Sequence, residues 1–205
     1  MRGAGRERRA WWLVCAGYVV VLYATLPLGR PVIDWLRGHY SLAQQAWLMN
    51  GVFAGVGVLV VVWLISRWRV LSPLAYVYAA LLARLLYCEF RFLVVYPEER
   101  LHFLEYGVLA CLLHRACAID VRGGWAYAAA MGLGALIGLG DEVVQHLTKY
   151  IPDVCAWVGI AVNPATFRRY FGWSDVALNA LGVAYGLAFW AGVVKNRRAA
   201  PLVPG

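Results

Sequence analysis

The chain contains few charged residues. Asp, Glu, Lys and Arg make up 15% of its 205 residues, whereas hydrophobic residues make up 62%. A soluble domain usually carries about a quarter charged residues, so this chain lacks the polar surface that contact with water requires. The composition therefore predicts a single-domain protein whose main solvent is the lipid bilayer.

The sequence also lacks the short motifs of several enzyme and metal-binding classes. It contains no Walker A loop, no GxSxG elbow, no HExxH pair and no CxxC pair. Four of its five cysteines fall in apolar segments, which favours a packing role over a disulfide framework or a zinc site. His39 and His114 are isolated, although a redox cofactor in a membrane would need paired histidines. Neither a cofactor nor a metal is predicted.

No single basic patch accounts for the net charge of +8. The basic residues form short clusters between apolar runs, for example Arg67 with Arg69, and Lys195 with Arg197 and Arg198. This distribution is typical of a protein that fixes its orientation in a membrane, and it predicts no nucleic-acid partner.

Six segments approach the roughly 20 apolar residues that a helix needs to cross a bilayer. They are Trp11–Leu28, Ala46–Ser66, Val70–Phe90, His102–Ala118, Trp125–Gln145 and Asp175–Val194. Breaks between them are predicted at Pro31, Pro73, Pro97, Gly123–Gly124 and Pro152. The predicted fold is an all-α membrane protein of about six transmembrane helices in one bundle, covering residues 1–205.

The distribution of Lys and Arg predicts the orientation of this bundle. With the N-terminus inside, more of the 19 basic residues lie in the inner segments than in the outer ones. The positive-inside rule then places both termini in the cytoplasm and the chain in the inner membrane. Residues 146–174 form a long outer connection, and its apolar run Val154–Val162 is expected to be an interfacial or re-entrant segment.

Polar residues concentrate at three predicted helix ends on the outer side. On each helix they share one face: His102, Glu105 and Tyr106 on the fourth, Glu142, Gln145 and His146 on the fifth, and Asp175, Asn179, Gly182 and Gly186 on the sixth. Ionisable groups facing lipid are costly, so we expect His102, Glu142, Gln145, Asp175 and Asn179 to line one cavity open to the outer leaflet. Arg169 or Arg100 is expected to pair with a carboxylate there.

The same stripes also allow a purely structural interpretation. Gly182 and Gly186, like Gly134 and Gly138, are typical of helices whose backbones pack closely, and the Asn179 amide could join two such helices. The fourth, fifth and sixth predicted helices should therefore pack as one unit.

The order of these motifs resembles the VanZ-like family of small integral membrane proteins, which is named for a teicoplanin-resistance determinant. The resemblance covers about residues 98–186 and is carried by E-R-L-H-F-L-E-Y, by E-V-V-Q, and by an Arg before D-V-A-L-N-A-L-G. The matching residues are Glu99, Arg100, His102, Tyr106, Glu142, Gln145, Arg169, Asp175, Asn179 and Gly182. Glu99 stands where the family usually has Asp. The stretch from Gln145 to Arg169 is longer than usual, which leaves Arg168 as an alternative to Arg169.

The resemblance also implies a division of the chain and a place of action. Residues 1–97 would form a variable three-helix part, and residues 98–194 a VanZ-like three-helix part with an outer loop at 146–174. The family's association with antibiotic resistance implies action at the cell-envelope face, on a lipid-linked cell-wall component or a glycopeptide.

Three functions are compatible with this sequence. The first is a binding module for a phosphate- or sugar-bearing lipid head group, in which Arg100, Tyr106, Gln145, Arg169 and Asn179 bind the substrate. In the second, a membrane enzyme uses Glu142, Asp175 and His102 as catalytic acid–base residues at a lipid head group. The third is an accessory subunit bound to a partner membrane protein.

Overall fold

The computed structural model describes residues 2–94, 96–161 and 172–198. The described residues are helical and contain no strand beyond one isolated bridge between Leu71 and Arg197. Their α-helices are α1 (Arg2–His39), α2 (Leu42–Ser66), α3 (Pro73–Phe92), α4 (Arg100–Asp120), α5 (Gly124–Leu147), α6 (Ile151–Trp157) and α7 (Trp173–Phe189). Short 3₁₀ turns cover Pro97–Glu99 and Thr148–Tyr150, and a π-helical turn, Trp190–Val194, extends α7. The predicted all-α class is confirmed.

Five helical segments in the described ranges are long and apolar enough to cross a membrane. They are Gly5–Leu26, Leu42–Ser66, Pro73–Phe92, Gly124–Trp157 and Trp173–Val194. The chain is therefore a multi-pass membrane protein by length and composition. The remaining predicted span, α4, is helical over 21 residues, but Glu105, His114 and Arg115 lower its hydropathy.

The predicted break at Pro31 is wrong, because α1 continues through it to His39. Proline removes one main-chain hydrogen bond of a helix. Because Pro31 lies beyond the apolar segment Gly5–Leu26, water and lipid head groups can bond the freed carbonyl. The other predicted breaks coincide with helix starts. Pro73 opens α3, and Gly123, with a φ of 66°, precedes α5. The predicted long connection, residues 146–174, begins with more helix than expected, since α5, a 3₁₀ turn and α6 follow one another to Trp157.

Helix α4 lies at the centre of the bundle. It packs on both α5 and α7, and its side chains Tyr106, Leu109 and Leu113 are almost completely buried. Helix α1 packs against α4 and α5, and two of its tyrosines donate hydrogen bonds across that contact. The Tyr18 hydroxyl bonds the carbonyl of Glu105 at 2.9 Å, and the Tyr23 hydroxyl bonds the carbonyl of Ile137 at 2.7 Å.

Helices α2 and α3 are more peripheral. At one end they pack through Leu64, Leu71 and Ala75 against Val193 of the π-helical turn. At the other end, Phe53 and Phe90 make an edge-to-face contact with ring centroids 4.7 Å apart. Most of their remaining surface is exposed and apolar, as a lipid-facing surface should be.

The predicted unit of three closely packed helices is present in α4, α5 and α7. A Cβ added at Gly134 would lie 2.7 Å from Val183 Cγ2, and one at Gly138 would lie 2.8 Å from Asn179 Cβ. A Cβ at Gly182 would lie 2.8 Å from the carbonyl oxygen of His102, and one at Gly186 would overlap the carbonyl oxygen of Gly107. All four glycines permit backbone approaches that any larger residue would prevent.

Contacts between distant parts of the chain show which helix ends lie together. At one end of the bundle, Arg8 pairs with Asp120 at 2.6 Å and Arg198 Nε donates to the carbonyl of Leu71 at 2.9 Å. At the other end, Arg37 pairs with Glu98 at 2.6 Å. The start of α1 and the end of α4 thus share one side, whereas the end of α1 and the start of α4 share the other.

Candidate functional site

The candidate site lies where α4, α5 and α7 meet at the end of the bundle that contains the start of α4. On α5, Gly134, Gly138, Asp141 and Gln145 advance by four, three and four residues along one face. On α7 the same spacing is found in Asp175, Asn179, Gly182 and Gly186, but here the polar residues precede the glycines. Because Gly138 contacts Asn179 and Gly134 contacts Val183, the two helices run antiparallel and their polar residues meet at one end.

We define the polar cluster as Tyr106, Asp141, Glu142, Gln145, Asp175 and Asn179. Asp141 is almost completely buried, with 1% of the residue exposed. Tyr106, which is fully buried, donates its hydroxyl to Asp141 Oδ2 at 2.9 Å, and Gln145 Nε2 donates to Oδ1 at 3.0 Å. Both oxygens of Asp141 thus accept a hydrogen bond from a buried side chain, which offsets part of the cost of burying the carboxylate.

The two carboxylates predicted to act together, Glu142 and Asp175, approach the same glycine. Glu142 Oε2 accepts a hydrogen bond from the backbone N–H of Gly172 at 3.2 Å. A Cβ added at Gly172 would lie 3.2 Å from Asp175 Oδ2. Their surroundings differ, because Glu142 is 1% exposed while Asp175 is partly exposed at the first turn of α7. Both side chains therefore lie beside Gly172, and that they line one cavity stays a prediction.

Asn179 lies one turn below Asp175 and joins α7 to α5. Its Nδ2 donates to the carbonyl of Gly138 at 3.2 Å, and the residue is completely buried. Its Oδ1 is also buried and accepts no hydrogen bond from the described residues. A buried acceptor in this state costs free energy unless some donor reaches it.

The remaining predicted residues divide into two groups. His102 lies beside the cluster, because its ring centroid is 6.4 Å from that of Tyr106 and its carbonyl faces Gly182. Arg100 points elsewhere: its Nη1 donates to Asn50 Oδ1 of α2 at 2.6 Å, and its guanidinium lies 5.3 Å from the centroid of the Phe90 ring. Arg168 and Arg169 lie outside the described residues, so the expected pairing of Arg169 with a carboxylate stays a prediction.

Helical spacing of the polar residues did not identify Asp141 as a member of the site. It grouped Glu142, Gln145 and His146, whereas the structure directs Tyr106 and Gln145 to Asp141, and His146 contacts Lys149 Nζ at 2.8 Å. The signal was present in the glycine stripe. Continuing from Gly134 and Gly138 by three residues reaches Asp141, which must then face the same neighbours as the glycines.

The polar atoms of the cluster are oriented for hydrogen bonding. Within the described ranges, no group of three His, Cys, Asp or Glu side chains is arranged to hold a metal ion. What the cluster presents is a concentration of carboxylate and amide oxygens around a tyrosine hydroxyl, enclosed between three helices.

Comparison with known proteins adds no relative, since no family model, no curated protein and no solved structure matches this chain. The VanZ-like resemblance therefore stays a prediction from the motifs.

Proposed function

We propose that this chain is a VanZ-like inner-membrane protein whose polar cluster binds the head group of a lipid or a lipid-linked envelope component from the outer side. The observation that carries this proposal is the enclosure of Asp141, Glu142 and Asn179 at one junction of three helices. Placing two acidic residues and an amide together inside a membrane bundle costs stability, and residues of this kind mark ligand or ion sites in membrane proteins.

Helix packing alone would require fewer polar residues than the polar cluster contains. The glycine stripes already bring α4, α5 and α7 into contact, and the single bond from Asn179 to Gly138 joins two of them. Glu142 and Asp175 lie beyond that contact, towards the end of the bundle. Their position beyond the packing contact favours a role in contacting a molecule that arrives at this end.

The outward orientation of the cluster rests on six spans with both termini in the cytoplasm. Helix α4 would be the sixth span: its 21 residues rise about 31 Å, which matches the hydrocarbon core. Its polar residues are tolerable there because α1, α5 and α7 surround it. Arg8 and Arg198 lie at the end of the bundle that contains the start of α1 and the turn between α2 and α3. Basic residues at this end agree with a cytoplasmic location for it.

A membrane enzyme is the second candidate, and the Glu142–Asp175 pair is the observation that favours it. One carboxylate is buried and the other is partly exposed, so the two lie in different surroundings, as the two carboxylates of an acid–base pair commonly do. His102 would then assist proton transfer at a lipid head group. Turnover of a bound lipid, seen as a change in its mass, would distinguish this enzyme from a binding protein.

The binding proposal is tested by replacing Glu142 with its uncharged isostere. Native mass spectrometry of the wild-type protein from mild detergent should show a retained envelope lipid, and Glu142→Gln should lose it while unfolding at a similar temperature. Glu7→Gln is the matched control, because Glu7 is an exposed glutamate at the opposite end of the bundle, where it pairs with Arg115. A wild-type protein without bound lipid, or equal retention by Glu142→Gln, would contradict the proposal.

A further inference from the structure

The hydrogen-bonding groups of the polar cluster are unequally divided between donors and acceptors. Each side-chain donor atom of the cluster makes at least one hydrogen bond: the Tyr106 hydroxyl and Gln145 Nε2 bond Asp141, and Asn179 Nδ2 bonds Gly138. The backbone N–H of Gly172 is directed at Glu142. Asn179 Oδ1 is a buried oxygen that accepts no hydrogen bond from the described residues. A ligand group that bonds this oxygen must be a hydrogen-bond donor.

The charge of the cluster favours a positively charged ligand. Asp141, Glu142 and Asp175 are three acidic residues at one junction, and two of them are 1% exposed. Arg100, which the sequence analysis expected to supply positive charge for a phosphate, is bound to Asn50 and lies over Phe90 instead. A second anion would meet carboxylates in a poorly screened environment, whereas a cation would be stabilised there.

We propose that the head group bound by the polar cluster presents a primary ammonium group, which donates to Asn179 Oδ1 and to the carboxylates of Glu142 and Asp175. This inference rests on the proposed function and names the chemical class that the site selects. An ammonium carries three donors and one positive charge, which matches a buried acceptor in a cluster that also contains three acidic residues. Since no metal-binding group of side chains is present in the described ranges, an organic cation fits better than a divalent metal.

The test compares three lipids that differ around the head-group nitrogen with a fourth lipid that has no nitrogen. The purified full-length protein is mixed with phosphatidylethanolamine, with its N-acylated form, with phosphatidylcholine, or with phosphatidylglycerol, and bound lipid is counted by native mass spectrometry. Phosphatidylethanolamine should bind best. N-acylation removes the charge, and phosphatidylcholine keeps the charge but has no N–H, so both should bind roughly tenfold more weakly. Glycerophosphoethanolamine, added in solution, should compete if the head group alone is sufficient, and should fail to compete if the acyl chains are required.

The variants compared are Asp175→Asn and Asp153→Asn. Asp175→Asn removes a charge from the cluster without touching the bonds of Tyr106, Gln145 and Asn179, and should weaken phosphatidylethanolamine binding about tenfold. Asp153 is an exposed acid on α6, so Asp153→Asn should bind like the wild type.

The possible outcomes distinguish failure of the ammonium inference from failure of the proposed function. Preferential binding of phosphatidylglycerol or of the N-acylated lipid, with no loss in Asp175→Asn, would overturn the ammonium inference and leave head-group binding intact. Failure of every lipid to bind above the level seen with Glu142→Gln would overturn both.

Discussion

Both carboxylate oxygens of Asp141 accept a hydrogen bond from a buried side chain. Two donors from two different helices are directed at its oxygens, and the residue is 1% exposed. At the scale of single residues, the sequence predicted most of the site, including Tyr106, Glu142, Gln145, Asp175 and Asn179. It missed Asp141 because the polar residues of this helix were grouped by their spacing from Glu142 and not by their spacing from Gly134 and Gly138.

Tyr106→Phe should destabilise the protein by removing one of the two donors to Asp141. The expected loss is about 1–2 kcal/mol, because a buried carboxylate would keep its desolvation cost with one fewer hydrogen bond. Chemical or thermal unfolding of the purified protein measures it.

Tyr87→Phe is the matched control for this experiment, because Tyr87 is 60% exposed and its ring contact with Arg84 survives the change. Equal stabilities of the two variants would show that the hydroxyl of Tyr106 contributes nothing to the bundle.

At the scale of helices, the boundaries were well predicted where the chain changes abruptly from polar to apolar. The predicted span Ala46–Ser66 corresponds to α2 at Leu42–Ser66, and Trp125–Gln145 corresponds to α5 at Gly124–Leu147. Helix α1 was predicted too short, because Pro31 was expected to end it. Where the apolar segment has already ended, hydropathy says little about whether a helix continues into the interface.

Gly186→Ala should be strongly destabilising although the change is a single methyl group. The added Cβ would overlap the carbonyl oxygen of Gly107, and backbone atoms cannot move aside as a flexible side chain can. The expected cost is about 1–3 kcal/mol, and the larger change Gly182→Leu, one turn away on the same helix, should lower both yield and unfolding temperature further.

Gly132→Ala provides the comparison within the same three-helix unit. A Cβ at Gly132 meets no atom within 4 Å, so this variant should be neutral or up to about 1 kcal/mol more stable. If both alanine variants unfold alike, close packing at Gly186 is not what holds α4 against α7.

At the scale of the whole molecule, the sequence predicted a multi-pass helical bundle from composition alone, and the five long apolar helices agree. The grouping of helices could not be derived from hydropathy. Apolar surface can face lipid or protein with similar energy, so only the small residues and the polar bonds indicate which faces meet. The glycine stripes on α5 and α7 provided that indication, whereas the peripheral position of α2 and α3 had no comparable signal.

The central claim is that the polar cluster opens at the outer face of the membrane, and labelling of two serine positions tests it most directly. Ser174 is exposed beside Asp175, and Ser66 is exposed at the end of α2, near the opposite end of the bundle. Ser174→Cys and Ser66→Cys each replace an oxygen with a sulfur. Both are made in a protein that also carries Cys155→Ser, which removes the one cysteine of residues 146–174. A membrane-impermeant maleimide should label Ser174→Cys in intact cells and Ser66→Cys only after the inner membrane is permeabilised. The reverse pattern would place the polar cluster on the cytoplasmic side and contradict the account.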